Sequence, residues 1–301
     1  MDIFITGGTG FVGTHLTKFL INQGHTVTIF DNFSNSKSIL SITNKIKIIE
    51  GDILDYSKLF DSMKNMELVI HLAAQISVKD SIINPDKTMK INVQGTQNIL
   101  KSCIENKIQN FIAASSAAVF GNPSTMPLIE EYLKNPVSPY GKSKLMMEEK
   151  IIEFSKIYKL NSIILRFFNL YGPGQSPQYA GVITKFLEHI KKDTNLEIYG
   201  NGKQTRDFIH IDDAIGSFDL AIKKIDGKVG KIYNVGSGTS ITILELAQLL
   251  LEISEKNLKI IHKLELEGDI IHSQTSIEQI TDDLGFTPKI SLENGLKQFL
   301  N

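Results

Sequence analysis

Arginine is almost missing from this chain. Of 32 basic residues only Arg166 and Arg206 are arginines, leaving 30 lysines, so the rigid guanidinium fork is reserved for two places. Net charge is nearly missing too, with 32 Lys and Arg against 33 Asp and Glu for a formal charge of -1. So balanced a surface has no broad positive field, which argues against nucleic acid or an anionic membrane as partner. Cysteine is reduced to Cys103, so no intrachain disulfide can form and a reducing, cytoplasmic compartment is expected. Among Ile99, Leu100 and Ile104 that thiol is read as buried and inert. No apolar run reaches the roughly 18 residues of a membrane span. Met1 to Thr6 runs straight into a strand-like stretch, without the pattern of a signal peptide. No histidine pair stands at helical spacing, so no metal is expected.

What is present is an ordinary globular balance of 301 residues, 42% hydrophobic and 22% charged, enough for two lobes around sizeable cores. Short apolar runs alternate with helix-period segments through the first half. The expected strands are Asp2 to Thr6, Thr26 to Asp31, Ile46 to Asp52, Leu68 to Ala74, Asn110 to Ser116 and Ser162 to Asn169. The helices between them are Gly13 to Gln23, Ser57 to Met63, Lys90 to Asn106 and Pro139 to Tyr158. This is the order of an α/β fold of Rossmann type, a doubly wound parallel sheet. After Asn169 the pattern loosens, with short strands near Ile198, Phe208 and Ile232. A smaller, interleaved C-terminal substrate lobe sharing one cleft with the first is the expectation. The boundaries are 1–169 plus about 208–236 for the cofactor lobe, and about 170–207 plus 237–301 for the substrate lobe.

The first strand runs directly into Gly7-Gly8-Thr9-Gly10-Phe11-Val12-Gly13, which opens the first helix. Gly7 suits a tight turn, Gly10 close approach of a pyrophosphate to a helix N-terminus, and Gly13 close packing of helix on sheet. Asp31 closes the second strand about 20 residues later, where a carboxylate can accept from ribose hydroxyls. It would repel the extra phosphate of NADP, so NAD is the expected cofactor, with Lys37 the only nearby cation. Asp52 ends the third strand, as a cap or beside the adenine. Leu72, Ala73 and Ala74 end the fourth with side chains small enough for a cofactor to lie against.

Ser138 suits an N-cap and Pro139 a first helical position, which puts Tyr140 and Lys144 one turn apart on one helix face. Alone, such a pair is common in a lysine-rich chain. Ser115 and Ser116 end the fifth strand at the sheet's carboxyl edge, however, and complete a set. A tyrosine near pKa 10 is a poor base, and an ammonium one turn away is expected to lower it. Tyr140 could then take a hydroxyl proton while hydride leaves for the nicotinamide, with Ser116 holding the oxygen. Asp212 and Asp213 look like caps of a helix, and His210 like a structural partner of nearby carboxylates.

These motifs, with His71-Leu72-Ala73-Ala74-Gln75, Asn92-Val93-Gln94-Gly95-Thr96, Arg166-Phe167-Phe168-Asn169, Thr205-Arg206-Asp207-Phe208 and Tyr233-Asn234-Val235-Gly236, run nearly end to end. In them the chain resembles the extended short-chain dehydrogenase/reductases, and within these the NAD-dependent UDP-sugar 4-epimerases. The resemblance implies NAD held by Gly7, Gly10, Phe11, Val12, Gly13, Asp31, Asn32, Ser34, Asp52, Ile53, Leu72, Ala73, Ala74, Gln75, Asn92, Tyr140 and Lys144. It implies catalysis by Ser116, Tyr140 and Lys144, and a UDP-sugar held by Ser116, Tyr140, Asn169, Arg206 and Ser273. A homodimer through two helices per subunit is implied as well. Arg166, inside a strand, reads as structural. Ala117 and Ala118 stand where related dehydratases and decarboxylases carry acidic residues, which favours simple epimerisation. Ser273 falls at the family's sugar-pocket gate, where a small residue goes with tolerance of an N-acetyl group; a one-residue shift would put His272 there. The family often grips diphosphate with an Arg-x-Gly-Asp element, and here the residues are Leu266-Glu267-Gly268-Asp269. That leaves Lys263 or another lysine to substitute. The alternatives are a 4,6-dehydratase, a 4-keto reductase or a dehydrogenase on the same scaffold, and a non-enzymatic NAD-sensing module.

Overall fold

A computed structural model of the chain describes residues 1–35, 45–175, 181–265 and 270–300. The first part runs β1 (Asp2–Thr6), α1 (Phe11–Asn22), β2 (Thr26–Asp31), β3 (Ile46–Glu50), α2 (Tyr56–Ser62), β4 (Leu68–His71), α3 (Val78–Ile83), α4 (Pro85–Met89), α5 (Gly95–Glu105), β5 (Asn110–Ser116), α6 (Pro139–Tyr158) and β6 (Asn161–Phe167). There follow β7 (Asn169–Tyr171), α7 (Val182–Lys191), β8 (Leu196–Tyr199), β9 (Thr205–Arg206), β10 (Phe208–His210), α8 (Ile211–Lys223), β11 (Lys231–Val235), β12 (Ile241–Thr242), α9 (Ile243–Ile253), β13 (Ile260–Lys263), α10 (Glu278–Leu284) and α11 (Leu292–Lys297).

Seven strands form one parallel sheet in the order β11-β6-β5-β4-β1-β2-β3. The chain steps outward from β1 to β3, then returns past β1 to build the other side. The reversal lies between β1 and β4, and a crevice opens there at the carboxyl ends of the strands. Strand periodicity explains why both faces are covered. On β1, Ile3 and Ile5 enter a core with Leu16 and Leu20 of α1 and Phe218 of α8. Phe4, between them, enters the opposite core with Leu59 of α2, Leu100 of α5 and Met147 and Ile151 of α6. A third core joins Ile183 and Phe186 of α7, Leu196 and Ile198 of β8, Leu246 and Leu250 of α9 and Leu296 of α11.

The strand expected near Ile232 is β11 and extends the large sheet beside β6, whereas β8 pairs with β13 and β10 with β7. Two local expectations change. The single helix expected over Lys90 to Asn106 is α4, a π-type turn at Lys90–Gln94, and α5. The wider turn carries buried Asn92, whose side chain is bonded outside the helix. At α8 the cap is His210, whose Nδ1 accepts from the Asp212 amide at 3.2 Å, not Asp212 or Asp213. Asp213 instead accepts from the amides of Lys289 and Ile290, both at 3.0 Å, which ties the C-terminal segment to α8. Among the described residues, no helix is long and apolar enough to cross a membrane.

Candidate active site

The crevice is a cavity of about 1230 Å³ whose walls come from both halves of the chain. Its first wall is largely main chain. Gly7 has φ +72°, and a Cβ there would stand 2.6 Å from the amide nitrogen of Ala73. A Cβ at Gly13 would stand 2.4 Å from the Gly7 carbonyl oxygen, so the turn and the helix contact both require glycine. At Gly10 a Cβ would meet that oxygen at 3.3 Å, so the fold presses less on Gly10, which faces the cavity. Gly10 is also the N-cap of α1 and offers no side-chain cap, leaving first-turn amides to serve a ligand.

Asp31 Oδ2 accepts from the Thr9 amide at 3.0 Å and Oδ1 from the Phe33 amide at 2.9 Å. Each oxygen keeps a lone pair for another donor. Asp52 accepts from the Leu54 amide at 2.9 Å and from Asn32 Nδ2 at 3.1 Å, and the Ser34 amide donates to Asn32 Oδ1 at 3.1 Å. Asp52 is thus a turn former that also faces the cavity, as do Asn32, Ser34, Ile53, Phe11 and Val12. Leu72, Ala73, Ala74 and Gln75 line the floor.

Behind that floor lies buried His71. Thr96 Oγ1 donates to the Asn92 carbonyl at 2.6 Å, so His71 Nε2–H donates to Thr96 Oγ1 at 2.8 Å. Nδ1 is then the acceptor from Thr6 Oγ1, also at 2.8 Å. Burial, reinforced by Lys144, pulls this imidazole down to about 3, so it is neutral. Asn92 does not line the cavity. Its Oδ1 accepts from the Gln75 amide at 2.8 Å, and its Nδ2 donates to the Gln75 carbonyl and to Ser143 Oγ, both at 2.9 Å. Ser143 Oγ donates to the Tyr140 carbonyl at 2.7 Å, so Asn92 couples the floor to the start of α6.

The sequence places Ser138 and Pro139 at the start of α6, and there Ser138 Oγ accepts from the Gly141 amide at 3.1 Å. Ser116, Tyr140 and Lys144 all face the cavity. Lys144 is buried, with Nζ donating to the Ala114 carbonyl at 2.9 Å, and burial pulls its ammonium down to about 8, against the opposing charge of Glu148. Tyr140 does not follow the expected downward shift. Burial raises its phenol, and a hydrogen bond with Ser116 only partly offsets this. Burial is the larger cause, so desolvation of a phenolate decides the direction here.

The same stripe of α6 continues to Glu148, which sequence reasoning passed over although it lies one turn beyond Lys144. Arg166 Nε donates to Glu148 Oε1 at 2.8 Å and its Nη2 to Oε2 at 2.7 Å, both partners being buried. Ser115 Oγ donates to the same Oε1 at 2.6 Å, and Arg166 Nη1 to the Glu130 carbonyl at 3.2 Å. Arg166 is therefore the internal arginine. Arg206 lines the cavity, with Nη1 donating to the Thr205 carbonyl at 2.8 Å.

The second wall holds Arg206, Asn169, Phe186, Tyr199, Gln204 and Lys185. Asn169 Nδ2 donates to the Asp207 carbonyl at 3.0 Å. Buried Asp207 fixes the adjacent loops by accepting from the amides of Ser237, Gly238 and Thr275, while its own carboxyl is pushed up by burial. Ser273 is buried beside this wall rather than in it, its amide donating to Thr205 Oγ1 at 3.4 Å. Lys263 pairs with Glu197 at 3.1 Å and does not reach the cavity lining. Residues 266–269 and Lys37 lie outside the described residues.

Residues 3–236 match the model of the NAD dependent epimerase/dehydratase family. The chain belongs to that family. It is 35% identical to a putative UDP-glucose 4-epimerase of Methanocaldococcus jannaschii, over 99% of this chain and 97% of that protein. It is 34% identical to a UDP-N-acetyl-alpha-D-glucosaminuronate decarboxylase of Bacillus cytotoxicus, over 98% and 95%. A crystal structure of UDP-glucose 4-epimerase with UDP-glucose from Thermotoga maritima superposes with a TM-score of 0.94 at 32% identity, covering 100% of this chain and 97% of that one. The chain is thus an enzyme of this family and its cofactor is NAD. The site's own chemistry fits that dinucleotide. The cradle at Gly7 and Gly13 excludes side chains, Asp31 has acceptor capacity to spare, and Gln75 Oε1 in the floor is buried without a hydrogen-bond partner among the described residues.

Proposed function

We propose that this enzyme inverts C4 of a UDP-hexose through a transient 4-keto sugar, with Tyr140 as the base. One observation carries the reading: Ser116, Tyr140 and Lys144 line a cavity bounded by the glycine loop on one side and by Arg206 and Asn169 on the other. Ala117 and Ala118 follow Ser116 and supply no carboxylate for elimination or decarboxylation. NAD would be held by the glycine loop and Asp31 and would supply the hydride acceptor and donor for C4. Tyr140 Oη takes the C4 hydroxyl proton and gives it back, Ser116 Oγ donates to the same oxygen, and Lys144 favours the phenolate. One hydride and one proton leave the sugar and both come back, so the net redox change is nil.

The first wall, from residues 1–169 with about 208–236, serves NAD; the second, from about 170–207 with 237–301, serves the sugar nucleotide. Arg206 offers a planar fork to the diphosphate, and Lys185 on α7 is the better substitute for the missing tail arginine, because Lys263 is spent on Glu197. The resemblance at Ser273, a small residue that lies behind the cavity wall, puts UDP-GlcNAc and UDP-GalNAc in the substrate range with UDP-Glc and UDP-Gal. The enzyme works as a homodimer through α6, whose outer side exposes Met146, Ile157 and Tyr158. Incubation with a panel of UDP-hexoses without added reductant tests the reading. Formation of the C4 epimer from either side supports it; stoichiometric NADH, or loss of water, assigns one of the alternatives. Turnover of UDP-Glc with none of UDP-GlcNAc removes the N-acetyl tolerance.

A further inference from the structure

The roles of Tyr140 and Lys144 leave one buried feature unused: the three-donor clamp on Glu148. Arg166 grips both carboxylate oxygens and Ser115 adds a third bond. All three residues are buried, and the guanidinium is further enclosed by the Phe120 ring at 5.1 Å and the Glu130 carbonyl. The clamp joins three elements. Arg166 comes from β6, Ser115 from the end of β5 beside Ser116, and Glu148 from α6 one turn after Lys144.

We propose that Glu148 is a positioning residue for the catalytic lysine: clamped by Arg166 and Ser115, it fixes α6 on the sheet and holds a carboxylate one turn behind Lys144, keeping that lysine an ammonium in a dry site. This rests on the assignment of Lys144 above. The geometry discriminates it from a generic buried ion pair. Such a pair is seldom worth more than apolar packing of the same volume, so stability alone does not account for it. A carboxylate fixed by three donors, in contrast, is a permanent negative charge that cannot swing toward Lys144 and quench it in a direct salt bridge. Nζ stays on the Ala114 carbonyl at the cavity wall.

The groups facing Lys144 sort by sign. Tyr140 lies one turn before it on α6, neutral His71 faces it from β4, and Glu148 follows it on α6. Arg166 stands behind the carboxylate on β6, and Glu130 lies on the far side of that arginine. Among the described residues Glu148 is the counter-charge that raises Lys144 against its burial.

The test is the titration of Lys144, read from its ¹³Cε resonance in lysine-labelled protein and assigned with Lys144→Arg. In Glu148→Gln the midpoint is expected to fall by about one pH unit, as for loss of one nearby counter-charge. The basic limb of the kcat profile should move to lower pH by the same amount. Because Glu148→Gln leaves Arg166 buried and unpaired, the second variant is Glu148→Gln/Arg166→Met, which removes both charges and keeps an acceptor for Ser115. It should fold and still shift downward, by less than Glu148→Gln alone because the Arg166 charge is removed with the carboxylate. A folded double variant whose Lys144 titrates as in the wild type overturns the proposal. Wild-type protein inactive on every UDP-hexose would instead overturn the functional reading, while the resonance still decides this one.

Discussion

The two walls of the cavity are built on different principles. The first wall is main chain: glycines that admit no Cβ, first-turn amides of α1, and strand ends at the reversal of the sheet. The second wall is side chain, with Arg206, Asn169, Lys185 and Tyr199 delivered from separate short elements that pack on a third core. A main-chain site can be damaged only by changing backbone geometry, so it tolerates little and reads a part common to all dinucleotides. A side-chain site changes residue by residue. That matches relatives with different reactions and substrates on one frame, an epimerase and a decarboxylase at nearly equal identity.

The proposed catalytic set, Ser116, Tyr140 and Lys144, lies between the walls, and the largest effect is expected there. Tyr140→Phe should cut turnover by about 10² to 10⁴ while NAD binding survives, because it removes acid–base chemistry and leaves both walls intact. Turnover near wild type would show that neither wall presents substrate to Tyr140. For the kcat profile the sign is set by Lys144: its ammonium is needed, so activity should decline as pH rises through about 8.

Next comes the support of the first wall. His71 is neutral in the fold at about 3 against 6.5 for a free imidazole, so the unfolded chain binds a proton that the fold refuses. Its stabilising contribution is fully present above pH 6.5 and is lost as pH falls toward 3, by roughly a few kcal/mol. Urea unfolding across that window should show a smaller acid loss in His71→Asn than in the wild type. Equal losses would mean that carboxylates elsewhere carry the acid sensitivity.

The glycines then separate fold from ligand. Gly13→Ala forces a Cβ onto the Gly7 carbonyl and should cost about 1–3 kcal/mol in denaturant midpoints, as overpacking against rigid backbone does. Gly10→Ala should leave stability close to wild type and weaken NAD binding, measured by calorimetry. If both lower stability equally, the first wall is not divided between structural and ligand-facing glycines.

The smallest effect belongs to the second wall. Arg206→Lys keeps the charge and loses the fork, and should raise KM for the sugar nucleotide about tenfold with kcat and NAD affinity nearly unchanged. A change in NAD affinity would break the division between the walls.

The glycine loop, Asp31 and the Tyr140–Lys144 step could be read before any fold was known, because each requirement is local. A positive φ, a helix N-terminus and a four-residue repeat are properties of contiguous chain. Asn92 and Glu148 show the other case. Asn92 matched a motif as a cofactor ligand, yet its amide is consumed by Gln75 and Ser143, because the π-type turn aims it at the protein. Glu148 drew no attention because a carboxylate on a helix is normally solvated. Only packing on β5 and β6 buries it, and only Arg166, distant in sequence, makes that burial tolerable.

The sequence by itself determined the doubly wound sheet and the place of the glycine turn, both set by periodicity and backbone chemistry. Tertiary structure alone decided that Glu148 is what holds the internal arginine. It also decided that burial raises Tyr140 against its lysine, that Ser273 stands behind the wall, and that His71 is neutral. Those outcomes depend on desolvation and on partners far along the chain, and neither is a property of any single segment.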